Sequence, residues 1–262
     1  MKRFVAALLA VPLTIAACSS SGSGSSSSTP PSSPSSAALS GTIKVDAAAS
    51  LTGAFTTLGT QFQAAHPGTS VKFTFDASST LETQINQGAP VDVFASASTS
   101  NMDGVVQAGN ASHPTVFVTN RAEIAVPPSN PAKIAAVSDL AKSGVKVALC
   151  DAEVPCGVVA AKVFANAHVT VAAAAREANV KATLAVVQTG DVDAGVVYVT
   201  DVKAAGSAVL GVPIPDNLDA STDYPIAPLT HSQNSALAQA FVAYVLSAAG
   251  IAVLTAAGFS QP

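Results

Sequence analysis

Three hydroxyl side chains stand together in the segment FDASSTLETQI, residues 75–85: Ser78, Ser79 and Thr80, with no Lys or Arg among the eleven residues. Ser50 occupies a similar place in DAAASLTGAF, residues 46–55, between an apolar run and a helical one. A serine at a helix mouth has two donors to give, its hydroxyl and its own amide, and the helix dipole adds partial positive charge. Such a turn can hold an anion without any cation. The bland account is N-capping, worth ~1 kcal/mol to a helix whether or not anything binds. Finding the arrangement twice weakens that account without displacing it.

The elements that carry these serines follow from periodicity. GTIKVDAAA, residues 41–49, reads as a buried strand, and Leu51, Phe55, Leu58 and Phe62 then recur at helical spacing until HPG at 66–68. Val71, Phe73 and Phe75 alternate with Lys72 and Thr74 in a second strand, a helix over about 79–87 ends at Gly88, and VDVFASA at 91–97 is a third strand. This β-α-β-α-β order predicts a parallel sheet with helices on its faces. A second set begins near Arg121: strand AEIAVP, a helix around VSDLAK, strand VKVALC, helices over 157–167 and 180–188, and strand DAGVVYV. Strands AVLGVPI and YPIAPL precede a last helix with Leu237, Phe241, Tyr244 and Val245 on one side. Two similar α/β lobes are expected. In open α/β sheets ligands collect outside the carboxyl ends of strands, and Ser50 and Ser78 follow the first and second strands.

The ends and the composition limit the function further. Lys2 and Arg3 precede an apolar run over residues 4–17 and then Cys18, the pattern of an export signal too short to span a bilayer. IAAC, residues 15–18, resembles the bacterial lipobox, which implies that residues 1–17 are removed and Cys18 is acylated, anchoring the chain to a membrane surface. Residues 18–40 are almost only Ser, Gly, Pro, Thr and Ala after the cysteine, a composition that buries no core and reads as a flexible tether. Taking Lys2 and Arg3 from the twelve basic side chains leaves ten against sixteen acidic ones, a net of −6. That balance argues against nucleic acid and against electrostatic adhesion to anionic lipid. Cys150 and Cys156 remain after processing, and outside the cytoplasm they form either a disulfide closing the loop CDAEVPC or a free pair. Two cysteines without a nearby His or third thiol make a poor zinc site.

Four segments together carry a resemblance: AAASLTGAF at 47–55, DASSTLETQINQGAPVDVFASA at 76–97, DAEVPCG at 151–157 and GVVYVTD at 195–201. They are similar to the molybdate-binding, substrate-capturing subunits of bacterial ABC transporters, in the order and spacing of that family. The resemblance implies a type II periplasmic-binding-protein fold, two α/β lobes that close about a hinge on a tetrahedral oxyanion. Lobe 1 is then 41–120 plus 223–262 and lobe 2 is 121–222, with crossovers near 119–121 and 222–225. It implies a ligand site made of Ser50 and Ser78 through hydroxyl and amide, the amides of Cys156 and Val180, and the phenol of Tyr198. Lys181 is expected to face solvent, and Asp76 and Asp151 to cap turns or orient loops. The implied ligand is molybdate or tungstate and no cofactor is expected. The implied partners are an ABC permease with its cytoplasmic ATPase, with the receptor itself a monomer.

The chemistry of the residues agrees with that implication. A fully deprotonated dianion asks only for donors, and each charge-assisted hydrogen bond contributes ~1.5–3 kcal/mol. An enzyme is the rival class, but there is no G-x-S-x-G elbow, and His66, His113, His168 and His231 stand in turn-like contexts away from both serines. A ferric-ion site of clustered tyrosines and carboxylates is not supplied, because only Tyr198 falls in a motif. A receptor for sulfate or phosphate is the remaining alternative.

Overall fold

The computed structural model describes residues 39–262; the signal, Cys18 and all but the last residues of the tether lie outside them. Strand β1 (Gly41–Ala48) runs into a 3-10 turn (Ala49–Leu51) and helix α1 (Thr52–Ala65), followed by β2 (Thr69–Asp76), α2 (Ser78–Asn86), β3 (Val93–Ala95) and α3 (Thr99–Gln107). The long strand β4 (Thr115–Val126) leads to β5 (Val147–Cys150), α4 (Pro155–Asn166), β6 (Ala173–Glu177), α5 (Val180–Gln188), β7 (Ala194–Tyr198) and α6 (Val199–Ala205). The chain ends with β8 (Leu210–Pro213), β9 (Ser221–Pro228), α7 (Ser235–Leu246) and α8 (Ala248–Ala257).

The strands form one continuous sheet in the order β2-β1-β3-β9-β4-β7-β5-β6, with β8 also paired to β4. Its two flanks are parallel: β1 lies between β2 and β3, and β5 between β6 and β7. The middle is antiparallel, because β4 pairs with β9 through its first half and with β7 and β8 through its second. These two strands carry the chain between two hydrophobic cores. One core gathers around Phe55, Leu58, Phe62 and Phe241, which are fully buried, and includes β1, α1 and α7; a small satellite around Leu81, Phe94 and Met102 lies beneath α2 and α3. The other core is built from Ile124, Val147, Val163, Val187 and Val196. Burying several Phe and Leu side chains, at about 1.5–3 kcal/mol each, is what stabilises each half.

Some sequence expectations need correction. The segment VSDLAK is a 3-10 turn over Val137–Ala141 and not an α-helix, since five residues cannot repay helix nucleation. The strand ending DAGVVYV stops at Tyr198, and Val199 begins α6. The helices α3, α6 and α8 and the strand β6 were not expected. In β6 the alanines alternate between half-buried and exposed, so the segment lacks the apolar contrast that marks a strand. No single described helix is long and apolar enough to cross a membrane.

Candidate functional site

Carboxyl ends of strands and the helix starts that follow them meet at one place in the molecule. Ser50 lies in the 3-10 turn after β1, Ser78 opens α2 after β2, Cys156 is the second residue of α4 after β5, Val180 opens α5 after β6, and Tyr198 ends β7. All five line one cavity, together with Asp76, Ala77, Ala97, Pro155 and Asn179 among others. The cavity is small, about 20 Å3, on the order of the space for one water molecule. Ala49 and Ala77, which come from the first half of the chain, pack into the core of the other half, so the two walls meet closely around it.

The serines do not cap their helices. The N-cap positions of α1 and α2 are Leu51 and Ala77, and neither makes a side-chain capping bond. Instead, Ser78 Oγ accepts from the amide of Ala97 at 2.9 Å. Ser50 Oγ lies 2.8 Å from the Tyr224 hydroxyl, whose oxygen in turn accepts from Asn120 Nδ2 at 3.3 Å. With Tyr224 donating to Ser50, each serine oxygen already accepts one hydrogen bond from the protein. Each serine proton is then left to point at a ligand. Tyr224 and Asn120 were not anticipated as site residues; they stand on β9 and β4, outside any of the motifs.

The amides are supplied by three helix mouths. In α2 the first backbone acceptor inside the helix serves Leu81, which bonds to the carbonyl of Ala77, so the Ser78 amide precedes the ladder. In α4 the carbonyl of Val154 accepts from Gly157 and Val158, leaving the Cys156 amide ahead of them. In α5 the N-cap Asn179 accepts from the amides of Lys181 and Ala182, both at 3.1 Å. That cap bypasses Val180. Helix dipoles add partial positive charge at each of these positions.

The loop that aims Cys156 is tied down on several sides. Cys150 and Cys156 are joined in a disulfide. Arg176 Nη1 donates to the Cys150 carbonyl at 2.8 Å, and the carbonyl of Asp151 receives the amide of Val154. A side chain at Gly157 would collide with that same Asp151 carbonyl, so only glycine lets the loop close on the start of α4. Asp151 thus shapes its loop through the main chain, while its carboxylate is exposed and lines no part of the cavity.

Tyr198 is 2% exposed, and among the described residues its hydroxyl makes no hydrogen bond of acceptable geometry, with the Tyr224 hydroxyl near it. Burial pushes this phenol well above its ordinary range, with the neighbouring Tyr224 and Asp201 adding to the effect, so it stays a donor. Its amide donates to Asp201 Oδ2 at 3.2 Å. Asp201 is fully buried and its carboxyl is raised by desolvation, which the nearby Lys181 opposes. Lys181 was expected to face solvent, but its Nζ sits 2.8 Å from Asp201 Oδ1, because a buried carboxylate one turn into α6 offers the ammonium a partner. No Lys or Arg lines the cavity, and no cluster of metal ligands occurs among the described residues. None of the four histidines lines it either.

A cavity walled by two serine hydroxyls, a phenol and helix-mouth amides is rich in donors, and its one acidic lining group, Asp76, has Oδ1 engaged by Ala77 and Asn179, so the site suits a small anion that carries no proton. Residues 43–260 match the model of the bacterial extracellular solute-binding proteins. This chain belongs to that family. The molybdate-binding protein ModA of Mycobacterium tuberculosis is 42% identical to it over 222 residues, covering 84% of this chain and 85% of the relative. Among solved structures, the periplasmic molybdate-binding protein of Azotobacter vinelandii superposes with a TM-score of 0.73 at 20% identity, covering 84% of this chain and 99% of that one. The sulfate-binding protein SubI of M. tuberculosis gives the same TM-score at 18% identity, covering 84% and 86%. The fold is therefore that of the two-lobed periplasmic binding proteins, and at these identities it does not choose between their anions.

Proposed function

We propose that this protein is an extracytoplasmic receptor that captures molybdate, and tungstate as well, and hands it to an ABC permease driven by a cytoplasmic ATPase. The observation that carries the reading is the buried phenol of Tyr198, without a hydrogen-bond partner among the described residues, in a cavity that also gathers Ser50, Ser78 and three helix mouths and is lined by no Lys or Arg. A dianion without a proton satisfies every one of those groups. Ser50, Ser78 and Tyr198 donate through oxygen, and the amides of Ser50, Ser78, Cys156 and Val180 donate through nitrogen. Five or more charge-assisted bonds of ~1.5–3 kcal/mol leave micromolar to nanomolar affinity after the cost of association. The name and 42% identity of the M. tuberculosis relative support molybdate over other oxyanions. The reading places the chain on the extracytoplasmic face of the cell membrane as a monomer, anchored through acylated Cys18 and spaced by the tether over 18–40. Closure brings the halves 41–120 plus 223–262 and 121–222 together by bending at β4 and β9, a hinge motion.

Calorimetric titration of protein beginning at Ser19 against molybdate, tungstate, sulfate and phosphate in parallel tests the proposal. Tight binding of molybdate and tungstate with weak binding of the other two is the expected result. A response to sulfate or phosphate alone would replace the molybdate reading with the alternative receptor.

A further inference from the structure

The cavity has one acidic neighbour and one amide side chain that the donor set does not use. Asp76 is the last residue of β2, immediately before the turn that carries Ser78, and Asn179 is the cap of the helix that carries Val180. Asn179 Nδ2 donates to Asp76 Oδ1 at 2.9 Å, and the same oxygen accepts from the amide of Ala77 at 2.7 Å. Among the described residues this is the only side-chain to side-chain hydrogen bond that joins the two halves away from β4 and β9. The ion pairs, by contrast, all lie within residues 121–219.

We propose that Asp76 and Asn179 form a latch across the mouth of the cavity, which holds the two halves together and lengthens the stay of the ligand. The ligand of this latch is that of the receptor reading, on which it rests, while the latch itself follows from geometry. Asn179 has one oxygen and one nitrogen to spend. Its oxygen takes the amides of Lys181 and Ala182, which fixes the carboxamide plane and turns the nitrogen toward Asp76. The hydrogen bond is charge-assisted, since its acceptor is a carboxylate, and it can form only when β2 and α5 have come together. The side chain that leaves the Val180 amide free for ligand is thus the one that reports closure to the Ser78 turn. A second consequence concerns charge. While latched, Asp76 Oδ1 accepts from both Ala77 and Asn179; unlatched, it keeps only the Ala77 amide and faces a dianion with less of its charge offset. A latch of this kind biases the closed population, and ligand affinity follows that population.

The substitution Asn179→Asp separates this role from helix capping, because a carboxylate still accepts from the amides of Lys181 and Ala182 but has no donor for Asp76. It is expected to weaken molybdate binding at least about tenfold, mainly through faster dissociation, with the melting temperature of the ligand-free protein nearly unchanged. Combining it with Asp76→Asn restores one donor and one acceptor in reversed order and should recover affinity to within about threefold of the wild type. Affinity and dissociation rate of Asn179→Asp equal to wild type would overturn the latch, as would a double variant no better than the single one. The radius of gyration of ligand-free protein by small-angle scattering should be larger for Asn179→Asp and return in the double variant. Failure of the wild type to bind molybdate would end the molybdate reading alone. The latch would then be judged by these radii, and equal radii would overturn it.

Discussion

Tyr198 has its hydroxyl sealed from water and unpaired, which costs about 1–3 kcal/mol for a polar group of this kind. A ligand oxygen removes that penalty. Replacing Tyr198 with Phe therefore has two effects of opposite sign: ligand-free protein should be at least as stable as wild type, while molybdate affinity falls by at least about tenfold. Thermal unfolding without ligand and calorimetry with it measure the two separately. A ligand-free variant clearly less stable than wild type would show that the hydroxyl has a partner inside the protein. The pH dependence follows from the same group. Burial holds the phenol in its protonated form above the range of an ordinary tyrosine, so the donor persists into alkaline solution. Affinity should stay level from about pH 7 to about pH 10.5, where an ordinary phenol near 10 would be mostly ionised. Titrations across that range that weaken steadily toward alkali would show the phenol ionising, and the assigned burial would be wrong.

At the scale of the element, the site is a set of helix mouths, each aimed by a different device. The mouth of α5 is aimed by a capping asparagine, and that of α4 by a disulfide that closes a short loop. On the loop-entropy model that bridge contributes about 2 kcal/mol. Its reduction, or Cys150→Ser, should lower stability by about that amount and weaken molybdate about threefold or more, because the Cys156 amide loses its fixed direction. Chemical denaturation and calorimetry under oxidising and reducing conditions measure both. A loss of stability with affinity intact would show that Cys156 contributes no donor. The elements were legible where the apolar period was strong: α1, with Phe55, Leu58 and Phe62 buried, and α5, whose range was read directly from the sequence. They were obscured where alanine blurred the period, as in β6 and α8. For the site, Ser50 and Ser78 could be named because hydroxyls beside helix mouths leave a local pattern, whereas Cys156, Val180 and Tyr198 followed only from the family resemblance. Asn120 and Tyr224 could not be named, since they reach Ser50 only through pairing of β4 with β9, a contact between residues 104 apart that no local pattern records. Asn179 stood in plain view beside Val180, and its capping role was the signal that could have found it.

At the scale of the whole molecule, charge separates this receptor from one that attracts its ligand with cations. Without residues 1–17 the chain carries a net of −6, and the cavity is lined by no Lys or Arg. An approaching dianion therefore meets repulsion at long range and attraction only at contact, from fixed dipoles and neutral donors. Added sodium chloride shortens the Debye length from about 10 Å at 0.1 M to about 3 Å at 1 M, which screens the repulsion in open solution. It does little to contacts inside a closed cavity, where screening is weak. The association rate for molybdate should accordingly rise with salt while the dissociation rate stays nearly constant, so that affinity strengthens slightly. Stopped-flow measurements of tyrosine fluorescence over a series of salt concentrations distinguish the two rates. The opposite trend, association slowing as salt is added, would mean that a basic side chain draws the ligand in. Lys181 would be the first to examine, since its ammonium lies on Asp201, one turn behind the phenol.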